Sequence, residues 1–206
     1  MTESERGFQE PKREEAPPLR IDPAPLALGA FALNTFLLSW VNAGMVPQMA
    51  IEAAVATAWV FGGFIQVAVG FWELLGGRLF QAVTFGSYGS FWLSFAFFET
   101  LYTESLPEDV RGAATALFLA PWAVFTLYML IGSLRTNLAI VVAFVLVEAL
   151  LIPTTYGFAT GTITGIRIGG WIGVALAIDV WYVAAAEIIN HQFGRTILPL
   201  GELGSR

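Results

Sequence analysis

Six long apolar stretches, separated by short polar connections, make up most of the 206-residue chain. Each stretch is about 20 residues long, the length that a helix needs to cross a hydrocarbon core of about 30 Å. The six predicted spans are residues 25–43, 49–72, 80–101, 113–133, 138–158 and 169–190. The pattern predicts an all-α membrane protein with six transmembrane helices around a pore, in which residues 157–170 connect the last two spans.

The ends of the chain differ from this apolar middle. Residues 1–21 are charged, contain several prolines and have few apolar side chains, which predicts a disordered tail. Residues 22–202 form the predicted transmembrane domain, and residues 203–206 a short C-terminal tail. Asp22 is a favourable N-cap for the first span, and Pro25 suits a first helical turn.

The distribution of lysine and arginine predicts the orientation in the membrane. An even number of spans places both tails on one side. That side holds eight of the ten basic residues, and the opposite side holds Arg111 and Arg167. Because basic residues concentrate in cytoplasmic loops, both termini are predicted to be cytoplasmic, in a multi-pass protein of the cell membrane.

Composition excludes several kinds of site. Charged residues make up 13% of the chain, against about 25% in soluble domains, and the mean hydropathy is +0.69. The chain has no cysteine and one histidine, His191, so we expect neither disulfides nor a metal site nor a cofactor. No basic patch indicates nucleic acid, and no HExxH, GxSxG or paired aspartate motif indicates an enzyme.

Two glycine-rich patterns each permit two interpretations. Gly165, Gly169 and Gly173 have the spacing at which helices approach closely, either within the chain or between subunits. The string FGSYGSFW, residues 85–92, surrounds Tyr88 with small residues. It fits tight helix packing, and it also fits a kinked turn that lines a path.

Two acidic residues fall near the middle of predicted spans, Glu148 in the fifth and Asp179 in the sixth. A charged carboxylate at the centre of a membrane helix costs about 2.5 to 3.5 kcal/mol on insertion scales. One interpretation is that each is neutral or hydrogen-bonded and serves structure alone. The other is that one of them loads and releases a proton, which makes both candidates for proton coupling.

Three strings together resemble one family. DPAPLAL at residues 22–28 resembles the NPAPLGL signature of the acetate uptake transporters, the succinate–acetate permease family. FGSYGSFW at residues 85–92 resembles the family's third-helix motif, and NHQFGRTILPLG at residues 190–201 resembles its C-terminal motif. The similarity covers residues 22–202, and the chain departs from the signature at Asp22 and Ala27.

The resemblance implies a homo-hexamer in which each protomer has its own pore for acetate and related short carboxylates such as succinate. It also implies a constriction of aromatic and aliphatic side chains. The matching positions are Phe31 and Tyr88, with Val147 on the fifth span and Leu146 one residue away.

The leading hypothesis is therefore a proton-linked transporter or channel for small carboxylates in the lipid bilayer. Thr35, Asn42, Gln66, Ser87 and Thr126 are the predicted hydrogen-bonding groups along its path. Two alternatives stay open. The same helices could form a channel for a neutral solute such as urea, ammonia or water, or a membrane sensor that binds organic acids without transporting them.

Overall fold

The computed structural model describes residues 22–103 and 105–203 as a bundle of helices. The predicted all-α fold is confirmed. The predicted tail 1–21 lies outside the described residues, as does all but the first residue of the tail 203–206. Six helices follow one another along the chain: α1 (Ala24–Asn42), α2 (Gln48–Leu75), α3 (Leu79–Phe97), α4 (Glu108–Ser133), α5 (Leu138–Thr160) and α6 (Ile163–Phe193).

Within the described residues, five helices are long and apolar enough to cross a membrane, namely α1, α2, α4, α5 and α6. Helix α3 has the length of a span but lower hydropathy, because glycine, serine, threonine and glutamine occur throughout it. Its C-terminal end continues into one π-helical turn, Phe98–Tyr102. Its buried residues recur every three or four positions and so lie on one face of the helix, namely Ala82, Phe85, Tyr88, Gly89, Trp92, Phe95 and Ala96.

Side-chain oxygens accept hydrogen bonds at the N-terminal ends of two helices. Asp22 was predicted as the N-cap of the first span, but the N-cap of α1 is Pro23. From one position before that cap, the Asp22 carboxylate accepts a hydrogen bond from the Ala24 N–H at 3.0 Å. Asn137 precedes α5, and its side-chain oxygen accepts from the Ile140 N–H at 2.9 Å. Each bond satisfies an N–H that has no partner within its own helix.

The predicted connection between the fifth and sixth spans is wrong. Residues 157–170 are mostly helical: α5 continues to Thr160 and α6 already begins at Ile163. Gly161 ends α5 in the left-handed region, at φ +71°, so two residues suffice for the reversal. The glycines that suggested a loop instead let the two helices touch, since a Cβ at Gly165 would lie 2.6 Å from the Pro153 carbonyl oxygen.

The fourth span also begins earlier than predicted. Helix α4 starts at Glu108 rather than at residue 113, with Pro107 as its N-cap. Glu108 and Asp109 occupy its first turn, where negative charge favours the N-terminus of a helix. The polar character of these residues belongs to a helix end and not to a loop.

The GxxxG glycines pack within the chain. A Cβ on Gly169 would collide with the Thr154 hydroxyl of α5, and one on Gly173 with the Ser39 hydroxyl of α1. Both glycines are buried. Of the two interpretations, packing between helices of the same chain is the one observed.

The string at residues 85–92 is continuous α-helix. Its glycines serve close contact with α2. A Cβ at Gly89 would lie 2.6 Å from the Val67 nitrogen, and a Cβ at Gly70 would lie 2.7 Å from the Gly86 Cα. Helices α2 and α3 therefore touch backbone to backbone.

The irregular helix is α2. Its middle, Ala58–Ile65, is π-helical, between α-helical Ile51–Thr57 and Gln66–Leu75. This segment packs against α1, where a Cβ at Gly62 would lie 2.6 Å from the Asn34 Cγ. The Asn34 amide is fully buried and donates to the Ala54 carbonyl at 3.0 Å.

The C-terminal segment, residues 194–203, folds back across the start of α5. The Asn190 side chain accepts from the backbone N–H of Ile197 at 2.6 Å and donates to the carbonyl of Leu198 at 2.8 Å. The Gly201 carbonyl then accepts from the Leu138 N–H at 2.8 Å. The segment thus ties the end of α6 to the beginning of α5.

Candidate functional site

Two cavities lie inside the bundle, one toward each end. The larger holds about 330 Å³ and extends to Gln48, the first residue of α2, and to Thr103, in the α3–α4 connection. The smaller holds about 140 Å³ and extends to Asp22 and Thr136, at the start of α1 and in the α4–α5 connection. Because successive helices run in opposite directions, these two pairs of residues mark opposite ends of the bundle.

Three side chains line both cavities: Phe31 of α1, Tyr88 of α3 and Val147 of α5. We call this group the shared wall. Tyr88 and Val147 are buried at 5% and 6% exposure. Leu146, the neighbouring residue considered for the same position, lines neither cavity and packs at the edge of the core. The shared wall therefore separates the two spaces with one residue from each of three helices.

Aromatic packing holds the shared wall in place. The ring centroids of Phe31 and Tyr88 lie 5.4 Å apart, edge to face. Tyr88 also meets Phe125 of α4 at 5.3 Å and Phe144 of α5 at 6.2 Å. Its hydroxyl forms a 2.9 Å hydrogen bond with the hydroxyl of Thr126, which is fully buried. Tyr88 is thus fixed from both its ring and its polar end.

Aromatic side chains from α3 and α4 form one part of the larger cavity. Phe91, Trp92 and Phe95 line it from α3, and Phe118 and Trp122 from α4. Thr35, Ser39 and Asn42 form one polar stripe on α1, and further polar or charged side chains line the cavity from other elements, namely Gln48, Glu99, Thr103, Arg111, Thr115 and Thr154. The Thr35 hydroxyl is buried and has no hydrogen-bond partner among the described residues, so this stripe can still bind a polar group.

Three of the five predicted hydrogen-bonding residues line one of these cavities. Thr35 and Asn42 line the larger cavity and Gln66 lines the smaller one. Thr126 lines neither cavity and forms a hydrogen bond with Tyr88. Ser87 also lines neither cavity and is half-buried beside Tyr88 on α3.

The acidic residues proposed for proton coupling do not face either space. Glu148 and Asp179 line neither cavity, although each has one buried carboxylate oxygen without a hydrogen-bond partner among the described residues. The carboxylates that line the smaller cavity are instead Asp22 and Glu187. Position along a span identified buried acids, but it did not identify the helix face.

One buried ion pair, between Glu73 and Arg78, was not predicted from the sequence. Glu73 is fully buried and accepts a hydrogen bond from the Arg78 guanidinium. That bond raises the pKa of Arg78. The five-residue spacing across the Gly76-Gly77 turn could have signalled the pair, since this turn brings Arg78 back over the end of α2.

The arrangement supplies hydrogen bonds and a dry barrier, but no cluster of metal ligands is present within the described ranges 22–103 and 105–203. Hydroxyl and amide groups lie on each side of a wall made of two rings and a valine. Such a site suits weak, reversible binding of a small polar solute that then passes an apolar barrier.

Comparison with known proteins supports this interpretation. Residues 6–204 match the GPR1/FUN34/yaaH family. The succinate-acetate/proton symporter SatP of Escherichia coli (strain K12) is 33% identical over 182 residues, which cover 88% of this chain and 95% of that protein. Acetate permease A of Emericella nidulans is 32% identical over 194 residues, covering 87% of this chain and 65% of that protein.

A solved structure has the same fold. The structure of the bacterial acetate channel SatP is similar to this chain with a TM-score of 0.82 and 32% sequence identity, covering 88% of this chain and 99% of that one. The family resemblance inferred from the three sequence motifs is therefore confirmed.

Proposed function

Because the chain belongs to the GPR1/FUN34/yaaH family, we propose that it is a membrane transporter or channel for acetate and related short carboxylates, with succinate as a further candidate. The proposal rests on the pair of cavities that meet at the shared wall. Related proteins described as an acetate permease and a succinate-acetate/proton symporter support this substrate class. Transport and not catalysis is the activity that these relatives favour.

The proposed path uses the donors on each side of the wall. Thr35 and Asn42 bind the carboxyl group in the larger cavity, and Gln66 binds it in the smaller one. Between them the solute passes Phe31, Tyr88 and Val147, where no charged side chain is available to it. A bare charge in an apolar segment of a membrane protein is expensive, so the proposal includes passage as the neutral acid or together with a proton.

The proposed assembly is a homo-hexamer in the cell membrane, with both tails in the cytoplasm. In this proposal α3 also crosses the membrane and completes the six spans. Large apolar side chains exposed on the bundle surface, such as Phe64, Leu117 and Ile178, support burial by lipid or by neighbouring subunits. Single cysteines introduced into this cysteine-free chain test the orientation by labelling from each side. Native mass spectrometry in detergent tests the subunit number.

The decisive experiment is acetate uptake into liposomes that contain the purified protein, measured with and without an inward proton gradient at zero membrane potential. Liposomes without protein correct for passive leak of acetic acid. We expect saturable, protein-dependent uptake and accumulation above the control under the gradient. Equilibration without accumulation contradicts proton linkage. Absence of protein-dependent flux contradicts the transport proposal for acetate and favours a neutral-solute channel or a sensor.

Tyr88→Ala tests the shared wall in the same liposomes. Removing the ring opens the space between the two cavities, so we expect faster leak and weaker discrimination between acetate and larger acids. Unchanged flux and selectivity would remove Tyr88 from the barrier.

A further inference from the structure

Glu187 is the carboxylate on a membrane helix that faces the proposed path from the smaller cavity. It lies on α6, toward the end of the bundle at which Asp22 precedes α1, and both residues line that cavity. One of its carboxylate oxygens, Oε2, is buried and has no hydrogen-bond partner among the described residues. Glu148 and Asp179, which the sequence suggested for proton coupling, face neither cavity.

The charged neighbours of Glu187 are negative or already paired. Asp22, across the cavity, and Glu73, on α2, both repel its charge. Arg78 neutralises Glu73 by the ion pair at the end of α2. The side chains of α3 and α5 that line this cavity are uncharged. Among them, Tyr88 is the one that can titrate. Among the described residues, the lining of the smaller cavity includes no lysine, arginine or histidine.

An amide completes this environment. Gln66 is 1% exposed, lines the same cavity, and its side-chain oxygen has no hydrogen-bond partner in the described part of the chain. A protonated carboxylic acid can donate its O–H to an amide oxygen, whereas a carboxylate ion cannot. The cavity therefore favours the protonated form of an acid, and a bare carboxylate is repelled while Glu187 is ionised.

We propose that Glu187 couples proton movement to carboxylate movement, an inference that rests on the proposed transport function. A carboxylate anion enters the smaller cavity when Glu187 has taken one proton from the water at that end. The Glu187 O–H bond then breaks as the proton passes to the carboxylate, and the neutral acid crosses the shared wall. One proton accompanies each monocarboxylate, and each ligand strengthens binding of the other by the same factor.

The test compares carboxyl-to-amide variants in two liposome assays. The first measures acetate flux at equal pH on both sides, between pH 5 and pH 8. The second measures acetate accumulation under an inward proton gradient. For the unaltered protein we expect protein-dependent flux to fall as pH rises, and acetate to accumulate with the gradient. Glu187→Gln removes the titrating group from the smaller cavity at this position. We expect its flux to vary less than twofold across this pH range and accumulation to disappear while equilibration persists.

Matched variants separate this role from a structural one. Glu187→Asp retains a carboxyl group and should restore both the pH dependence and the accumulation. Glu52→Gln makes the same chemical change at an exposed residue of α2 and should behave like the unaltered protein. Glu148→Gln and Asp179→Asn test the competing carriers, and loss of accumulation in either one, with accumulation retained in Glu187→Gln, overturns the proposal.

If Glu187→Gln does not fold, Asp22→Asn provides a second test of the role of Glu187. Asp22→Asn retains a side-chain oxygen for the Ala24 N–H and removes one of the charges that repel Glu187. The midpoint of the flux–pH profile should move to lower pH, by up to about one pH unit. An unmoved midpoint overturns the role of Glu187. Absence of acetate flux in the unaltered protein contradicts the proposed function itself, so the two failures are distinguishable.

Discussion

Replacing Tyr88 by phenylalanine removes one hydroxyl from the shared wall and leaves the aromatic ring in place. That hydroxyl and the hydroxyl of Thr126 are 2.9 Å apart, and Thr126 is fully buried. No other hydrogen bond of the Thr126 side chain is present among the described residues. Tyr88→Phe therefore strands one buried hydroxyl, and Thr126→Val strands the other.

The expected magnitude follows from these contacts. A buried polar group left without a partner costs about 1–3 kcal/mol, whereas hydrogen bonds between membrane helices average about 0.6 kcal/mol and reach about 1.7. We expect each single variant to lose about 1–2 kcal/mol of unfolding free energy. The double variant should lose about 0.6–1.7 kcal/mol less than the sum, because neither hydroxyl then remains stranded.

Unfolding in mixed micelles with increasing denaturing detergent measures these values, and seven tryptophans provide the fluorescence signal. Acetate flux in liposomes is the second readout, and size selectivity should stay unchanged in Tyr88→Phe because the ring remains. Additive losses within about 0.5 kcal/mol would show that the two hydroxyls are not coupled and would refute the reasoning.

Three further predictions concern the fold. Gly89→Ala should destabilise the protein by about 1–3 kcal/mol through overpacking against α2, whereas Gly86→Ala, whose Cβ would meet open space, should be neutral or stabilising; equal melting temperatures would contradict this. Arg78→Gln should lower the melting temperature more than the double change with Glu73→Gln, since it alone leaves a buried carboxylate without its ion pair. Asn190→Ala should raise hydrogen exchange in the C-terminal segment, and unchanged exchange would show that other contacts hold it.

The helices were predictable because local rules determine them. Apolar runs of about 20 residues correspond to the observed helices, and Asn137 and Gly161 mark the ends at which capping chemistry acts. The start of α6 was not predictable in this way. Glycines at residues 165–173 have the composition of a loop, and only the neighbouring helices show that they provide close contact.

The site was predictable in part. Phe31, Tyr88 and Val147 were selected by resemblance to the family, because composition does not distinguish them from the other aromatic and aliphatic residues of the bundle. For the other predicted residues, the outcome depended on which face of each helix lines a cavity. Thr84 lines the smaller cavity, whereas Ser87, one turn later on the same helix, does not. Such differences depend on how α3 is rotated against its neighbours, which an isolated helix does not reveal.

The shared wall also has an electrical consequence. Cavities that approach each other from opposite ends leave a thin layer of low polarisability, and a transmembrane voltage falls most steeply across that layer. A unit charge that crosses the full voltage exchanges about 2.3 kcal/mol per 100 mV, whereas a neutral acid exchanges none. Electrical recording on planar bilayers would therefore detect ions passing Phe31, Tyr88 and Val147 as current, while passage of the uncharged acid would be silent.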